Sequence, residues 1–393
     1  MANIALFEPY FSGSHRQWVE GVMAHSSHRI QAYTQPGRHW KWRMHGAALT
    51  LTQELLQADS APDLLLVGSM IDLSTVAALL RGHENPAFAQ LPLAIYFHEN
   101  QLTYPWPEND PDAATERQGH FVWIQFLSAL LADRVYFNSA YHRDSFLEAL
   151  PAWLRRFPDR KPVGAVETIA AKSEVMHLGL DLARFDAFAD SAIEWQEGVG
   201  DLPLSGRNLS GEMLSDSDRA GPLVLWNHRW EYDKNPEAFF DALFTLADEG
   251  VAFRVAVLGE QFRHSPEIFD EARERLGERV VQFGFAESAE AYARWLRAAD
   301  VLPVTSNQDF FGGSIIEAVH CGAVPILPRR LAYPEHFDGL DCFYETQTEL
   351  VDLLRDRLQS PVDAAPYVER TRKYDWSVIA PELDRRLNGL IAK

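Results

Sequence analysis

Short apolar runs recur along the chain, separated by stretches in which apolar residues return every three or four positions. "NIALFEP" leads through the Gly/Ser loop "FSGSH" into the helical "RQWVEGVMAH", and "DLLLVGS", "LAIYFHEN" and "RVYFNS" follow with helical pattern between them. Runs that stay apolar predict strands buried on both faces, and strand-helix-strand order predicts parallel pairing with helices on each side. The pattern lapses in "DSAIEWQEGVGDLPLSGRNLSGEMLSDSDRAGP", which is rich in Gly, Ser and acids and reads as a linker or insertion. It restarts with "LVLWNHR", "NPEAFFDALFTLADEG" closed by Gly250, "FRVAVLGE", "ERVVQFGF", "SAEAYARWLRAAD" and "VLPVTS".

The fold class is therefore α/β, with two Rossmann-like domains. The predicted boundaries are an N-terminal domain at 1–185, an acidic linker at 186–222, a C-terminal domain at 223–365, and a C-terminal helix at 366–393 that packs back toward the N-terminal domain. In that helix Pro381 must sit near the first turn or at a kink. Ligands of doubly wound sheets bind at the carboxyl ends of strands, so loops of both halves are expected to aim into a central cleft.

Composition narrows the class. With 36 basic and 56 acidic residues the formal charge is -20, which argues against non-specific attraction to nucleic acid or anionic membrane. No apolar run approaches the ~20 residues of a membrane span, and the N-terminus lacks the features of a signal peptide, so a soluble cytoplasmic protein is expected. Cys321 and Cys342 are too few for a zinc site or a disulfide framework, and Cys321 reads as a buried helix residue. Two segments run against the acidic average: "RHWKWRMH", where Arg38, Lys41 and Arg43 alternate with Trp40 and Trp42, and "RRFPDRK" at 155–161.

The candidate chemistry lies at predicted strand ends. In "NQDFFGGSIIEAVHCGAVPIL", Gly312 and Gly313 allow backbone N–H groups close to an anion at a helix start, where a phosphate fits. Glu317, about one turn inside, suits the hydroxyls of a ribose, and Asp309 those of a sugar. Ser314 and Glu317 also form S-x-x-E, a capping box that needs no ligand. In "HRWEYDKNP", Arg229 and Lys234 can converge on a pyrophosphate, and with the helix start they specify a nucleoside-diphosphate site. In the first half, Gly13 lies in a strand-to-helix turn that can meet a phosphate or sugar, and His98 and Glu99 follow an apolar strand. No HExxH, CxxC, P-loop, GxGxxG or metal-ligand cluster is visible.

Asp309 to Glu317 resembles the E-x7-E element of retaining GT-B glycosyltransferases of the family 4 group, and Arg229 with Lys234 matches its R-x4-K. One departure is that the first acid is Asp309, shorter than Glu by roughly 1.5 Å. "GSHRQWVEGV", "RHWKWR", "YFHENQLTYP", "NHRWEYDKNPE", "VLGEQF" and "DFFGGSIIEAVHCGAVPILPRRLAYPE" together resemble the tRNA-queuosine α-mannosyltransferase family over nearly the full chain except the acidic stretch.

The resemblance implies transfer of mannose from GDP-mannose to queuosine of an aspartate tRNA. It implies Arg229 and Lys234 on the pyrophosphate, Glu317 on ribose, Asp309 on the sugar, and an acceptor entering near Gly13 and His98. Fixed positive charge would stand in for a metal, and the nucleotide sugar is a substrate, so no cofactor is expected. Arg38, Trp40, Lys41, Trp42, Arg43 and Glu99 are the candidate acceptor or RNA contacts, since RNA needs cations for phosphates and flat rings for bases. The alternatives are a GT-B transferase acting on a lipid, glycan or small molecule, and a nucleotide-sugar-binding protein without turnover.

Overall fold

The computed structural model describes residues 1–106, 118–188, 221–260 and 265–392. Most of the predicted acidic linker, 189–220, lies outside the described residues. The chain forms two compact units, Met1–Leu180 with Tyr374–Lys393, and Asp181–Lys373. Among the described residues each unit carries one six-stranded parallel sheet.

Unit 1 contains β1 (Asn3–Phe11), β2 (Arg29–Pro36), β3 (Leu64–Gly68), β4 (Leu93–Phe97), β5 (Arg134–Phe137) and β6 (Ser173–Val175), in the order β2-β1-β3-β4-β5-β6. Every residue of β3 and β4 is buried, which explains why these strands read as unbroken apolar runs: helices cover both faces. Register is set by pairs such as Ile4 with Leu64 and Leu65 with Leu93. The chain runs from β1 outward to β2 and then crosses to the other side of β1 to lay down β3, so the winding reverses there. At such a reversal the loops at the carboxyl ends diverge and leave room for a ligand.

Unit 2 repeats the arrangement with β7 (Leu223–Trp226), β8 (Arg254–Leu258), β9 (Val280–Gly284), β10 (Val301–Pro303), β11 (Val324–Pro328) and β12 (Phe343–Tyr344), in the order β12-β11-β10-β7-β8-β9. Its reversal falls between β7 and β10. The core on one side of the sheet is aromatic, with Trp230 stacked on Phe269 at 4.2 Å and Trp226 edge-on to Phe239 at 5.0 Å. These rings hold the segment after β7 against the sheet.

The tail is split between the units. The helix Ala365–Thr371 belongs to unit 2, and the helix Trp376–Ile391 belongs to unit 1. Asp375 caps the latter by accepting from the Ser377 N–H, and Pro381 is its sixth residue, beyond the first turn. Trp376 fills space that two glycines leave open: a Cβ would lie 2.2 Å from its ring at Gly21 and 2.5 Å at Gly179. Asp384 accepts from Ser26 Oγ at 2.6 Å and from the Ser27 N–H at 2.7 Å. Leu180 and Tyr374, where the chain leaves and rejoins unit 1, are joined by a backbone hydrogen bond of 2.8 Å, and Trp376 N–H returns to the Leu180 carbonyl at 3.0 Å.

Candidate active site

In unit 2 the loops after β7 and β10 meet at the reversal. Tyr232–Lys234 forms a single 3-10 turn, Asn235 takes a left-handed φ of 52°, and Pro236 opens the next helix. This tight exit turns Lys234 inward. Its ammonium donates to Asp309 Oδ1 at 2.9 Å and to the Gln308 carbonyl at 2.7 Å, and lies 3.3 Å from Asp233. The two loops are cross-braced by Thr305 Oγ1, which donates to the Lys234 and Asn235 carbonyls, and by the Asn307 N–H, which donates to the Asp233 carbonyl. Asp309 also accepts from the Tyr333 hydroxyl at 2.6 Å. Arg229 is exposed and paired with Glu231 at 2.9 Å, so the two cations differ in setting: Lys234 is built in and Arg229 is at the surface.

The electrostatics follow from burial and pairing. Burial works against the Asp309 carboxylate, but the Lys234 ammonium outweighs it and holds the pKa below the ordinary 3.8. Burial equally opposes the Lys234 charge, and Asp309 and Asp233 outweigh it, raising its pKa. His228, buried beside them, is pushed down to about 4 by burial and is a neutral imidazole.

The helix Gly313–His320 starts from Gly312 at φ 84°, a conformation only glycine adopts freely, and has no side-chain cap. The S-x-x-E capping box does not form. Instead Glu317 accepts from Arg184 Nη2 at 2.7 Å and from the Tyr292 hydroxyl at 3.2 Å, and Asn227 Nδ2 donates to the Ser314 carbonyl at 2.8 Å. Burial raises the Glu317 pKa more than Arg184 lowers it. Each carboxylate oxygen retains accepting capacity for a further donor. The Ile315 and Ile316 N–H groups donate to the Gly312 carbonyl, so the anion-ready donors at this helix start beside Asp309 are those of Gly313 and Ser314.

In unit 1, Gly13 is exposed at the start of the helix Gly13–His25 with φ 50°; a Cβ there would touch nothing within 4 Å, so only the backbone conformation asks for glycine. His98 is buried after β4, its ring 4.2 Å from that of His15 and 4.8 Å from Trp18, and burial pushes its pKa well below 6.5. Burial also lowers His15, but Glu8 beside it wins, and His15 stands above 6.5. Glu99 accepts from Gln101 Nε2 at 3.0 Å. Glu8, His15 and His98 lie together, which differs from the expectation of no metal-ligand cluster; they belong to separate elements, so no local spacing reveals them.

"RHWKWRMH" becomes the start of the helix Trp40–Leu55, preceded by His39 in a left-handed conformation. Residues two apart on a helix face opposite ways, so the alternation is divided. Trp40 packs with Trp106 and Phe121 against the core, Trp42 is 64% exposed over Gly46, and Arg43 donates to Gln35 Oε1 at 2.7 Å. Lys41 lies over the rings of Trp40 and Trp106, and Arg38 is exposed just before the helix. Arg184, Tyr292, Tyr333 and Arg330, which donates to the Thr305 and Ser306 carbonyls, carry no motif and were not foreseen.

Residues 3–180 match the N-terminal domain family of tRNA-queuosine alpha-mannosyltransferases. The chain is 31% identical over 360 residues to the tRNA-queuosine alpha-mannosyltransferase of Drosophila melanogaster, covering 91% of this chain and 88% of that one. The chain belongs to the tRNA-queuosine alpha-mannosyltransferase family. Solved structures add the fold. A sucrose-phosphate synthase from Thermosynechococcus elongatus superposes with a TM-score of 0.70 at 16% identity, covering both chains fully. Anabaena HepE, solved with UDP and glucose, superposes with a TM-score of 0.64 at 16% identity over 99% of this chain and all of that one. This family member is thus a GT-B-like glycosyltransferase, and among its described residues no helix is long and apolar enough to cross a membrane.

Proposed function

We propose that this chain transfers mannose from GDP-mannose to the cyclopentenediol of queuosine in an aspartate tRNA, with retention of configuration. The observation that carries the donor side is the Lys234–Asp309 pair at 2.9 Å beside an uncapped helix start, in a chain of this family. Lys234 and Arg229 neutralise the pyrophosphate, and the first-turn N–H groups after Gly312 and Gly313 add donors. Glu317 takes the ribose hydroxyls with capacity left over from Arg184 and Tyr292. Asp309, held by Tyr333 and Lys234, orients the hexose. Fixed cations stabilise the leaving diphosphate, whose phosphate oxygen can accept the acceptor's proton, so no protein nucleophile is needed.

Unit 1 is read as the acceptor side through the Gly13 turn, His98 and Glu99. RNA is taken by Arg38, Lys41 and Arg43 with the exposed Trp42 as a stacking surface, and Trp40 serves as its support. The test is nucleoside mass spectrometry on queuosine-containing aspartate tRNA incubated with the purified chain and GDP-mannose, with UDP-glucose in parallel. A gain of one hexose on queuosine with GDP-mannose alone is expected. Nucleotide-sugar binding without that gain would keep the unit 2 site and refute the tRNA acceptor.

A further inference from the structure

We propose that the carboxyl end of the unit 1 sheet holds a divalent transition-metal ion, Zn2+ by its ligand chemistry, on Glu8, His15 and His98. The three residues converge on the point where the winding reverses: Glu8 lies in β1, His15 in the first turn of the helix Gly13–His25, and His98 directly after β4. Between β1 and β4 runs β3, which ends at Gly68. A Cβ at Gly68 would lie 2.5 Å from Glu8 Oε2, so the glycine leaves the carboxylate its room.

The spacing suits a shared ion. The ligand atoms all lie within 4.8 Å of one another, with Glu8 Oε1 3.2 Å from His15 Nδ1 and Glu8 Oε2 3.8 Å from His98 Nε2. Bonds of about 2.0–2.1 Å in a tetrahedral Zn2+ site put neighbouring ligand atoms roughly 3.3 Å apart.

Glu8 Oε2, His15 Nδ1 and His98 Nε2 are buried, and none has a hydrogen-bond partner. Glu8 Oε1 makes the one close approach, 3.2 Å to His15 Nδ1, and Glu8 Oε2 has no donor. A buried polar atom left in this state is destabilising, and three facing one another are explained together by a common ligand. Glu8 is fully buried, accepts from the Tyr10 N–H at 2.9 Å, and pairs with no Lys or Arg among the described residues. Its close ionisable neighbours are the two imidazoles, His15 at 3.2 Å and His98 at 3.8 Å.

Two imidazoles and one carboxylate are the donor set of Zn2+ and its neighbours, whereas Mg2+ and Ca2+ take oxygen. Three protein ligands leave a position for water or a substrate oxygen. The rings are already fixed, His98 between His15, Trp18 and Tyr96, which lowers the ordering cost of coordination. This site goes beyond the transfer reading and does not depend on it.

The test uses the full chain, stripped with a chelator and titrated with Co2+ by visible absorption and with Zn2+ by calorimetry. One equivalent is expected to bind, with the intense d–d bands of four- or five-coordinate Co2+. Glu8→Gln, His15→Ala and His98→Ala should each weaken Zn2+ binding about 100-fold or more, since loss of a direct ligand exceeds the 10–100-fold of an outer partner. His120→Ala, which breaks the His45–His120 contact of 3.0 Å elsewhere in the unit, should leave binding unchanged. Absence of stoichiometric binding to the wild-type chain overturns the proposal, a proton on His15 then being all that Glu8 faces. Binding that survives all three replacements, or that disappears with His120→Ala, also overturns it. Should a replacement not fold, 15N shifts of the imidazoles in the wild-type chain decide: movement of His15 and His98 on adding Zn2+ supports the site, and its absence refutes it.

Discussion

The Lys234 ammonium sits in the interior between Asp309 and Asp233, and its removal leaves Asp309 buried without its cation. Lys234→Ala is expected to abolish donor turnover and to lower stability by about 3–5 kcal/mol in urea unfolding. Adding Asp309→Asn should cost less than the two changes summed, because the second removes the charge that the first stranded. The pH dependence has a definite sign. Asp309 stands below its ordinary 3.8, so its stabilisation is whole above that value and is lost as pH falls through the lowered pKa. Lys234 stands above its ordinary 10.5, so its share is whole below that value and is lost as pH rises through the raised pKa. The stability difference between wild type and Asp309→Asn should therefore be level from about pH 5 to 9 and shrink on acidification. Asp309, Lys234 and Glu317 were legible because they stand at fixed spacings beside strand ends. Tyr333, Tyr292 and Arg184 were not, because what makes them partners is the fold bringing distant segments together.

At the scale of elements, the sequence revealed the strands that read as apolar runs and concealed an edge strand, two very short ones and one interrupted by proline. β3, β4 and β7 are unbroken apolar runs and β8 is one after Arg254, so periodicity alone finds them. β2 is an edge strand with mostly half-exposed and exposed residues, β6 and β12 are two or three residues long, and β11 contains Pro325 and Pro328, which argue against a strand. The capping box at Ser314 was a local reading that fails because the helix already starts at Gly313, with Ser314 inside it. The helix Trp376–Ile391 depends on remote partners, since its first residue lies on Gly21 and Gly179. Gly21→Ala is expected to destabilise the protein by about 1–3 kcal/mol through overpacking. Chemical denaturation should show that cost falling when Trp376→Leu is added, which a backbone effect confined to position 21 would not produce.

Over the whole molecule, unit 1 is assembled from two separated stretches of chain. Trp376, Ile379, Leu383 and Leu387 are buried in it, each worth about 1.5–3 kcal/mol, and together they rival the roughly 5–15 kcal/mol that keeps a domain folded. Residues 1–180 alone should therefore show no cooperative melt by circular dichroism, and adding a peptide of residues 374–393 should restore one. The fragment Asp181–Lys373, with its own sheet and core, should melt cooperatively by itself.

The hydrogen bonds between Leu180 and the returning Tyr374–Trp376 segment close unit 1 only once that distant segment has been made. During synthesis on the ribosome, the first sheet must wait while the whole of Asp181–Lys373 is made, a delay on the order of tens of seconds at about 5–20 residues per second. Throughout that interval the grooves meant for Trp376 and its neighbours face solvent on a nascent chain. The later unit can be finished first, and the earlier one is completed only when the Tyr374–Lys393 segment emerges from the exit tunnel.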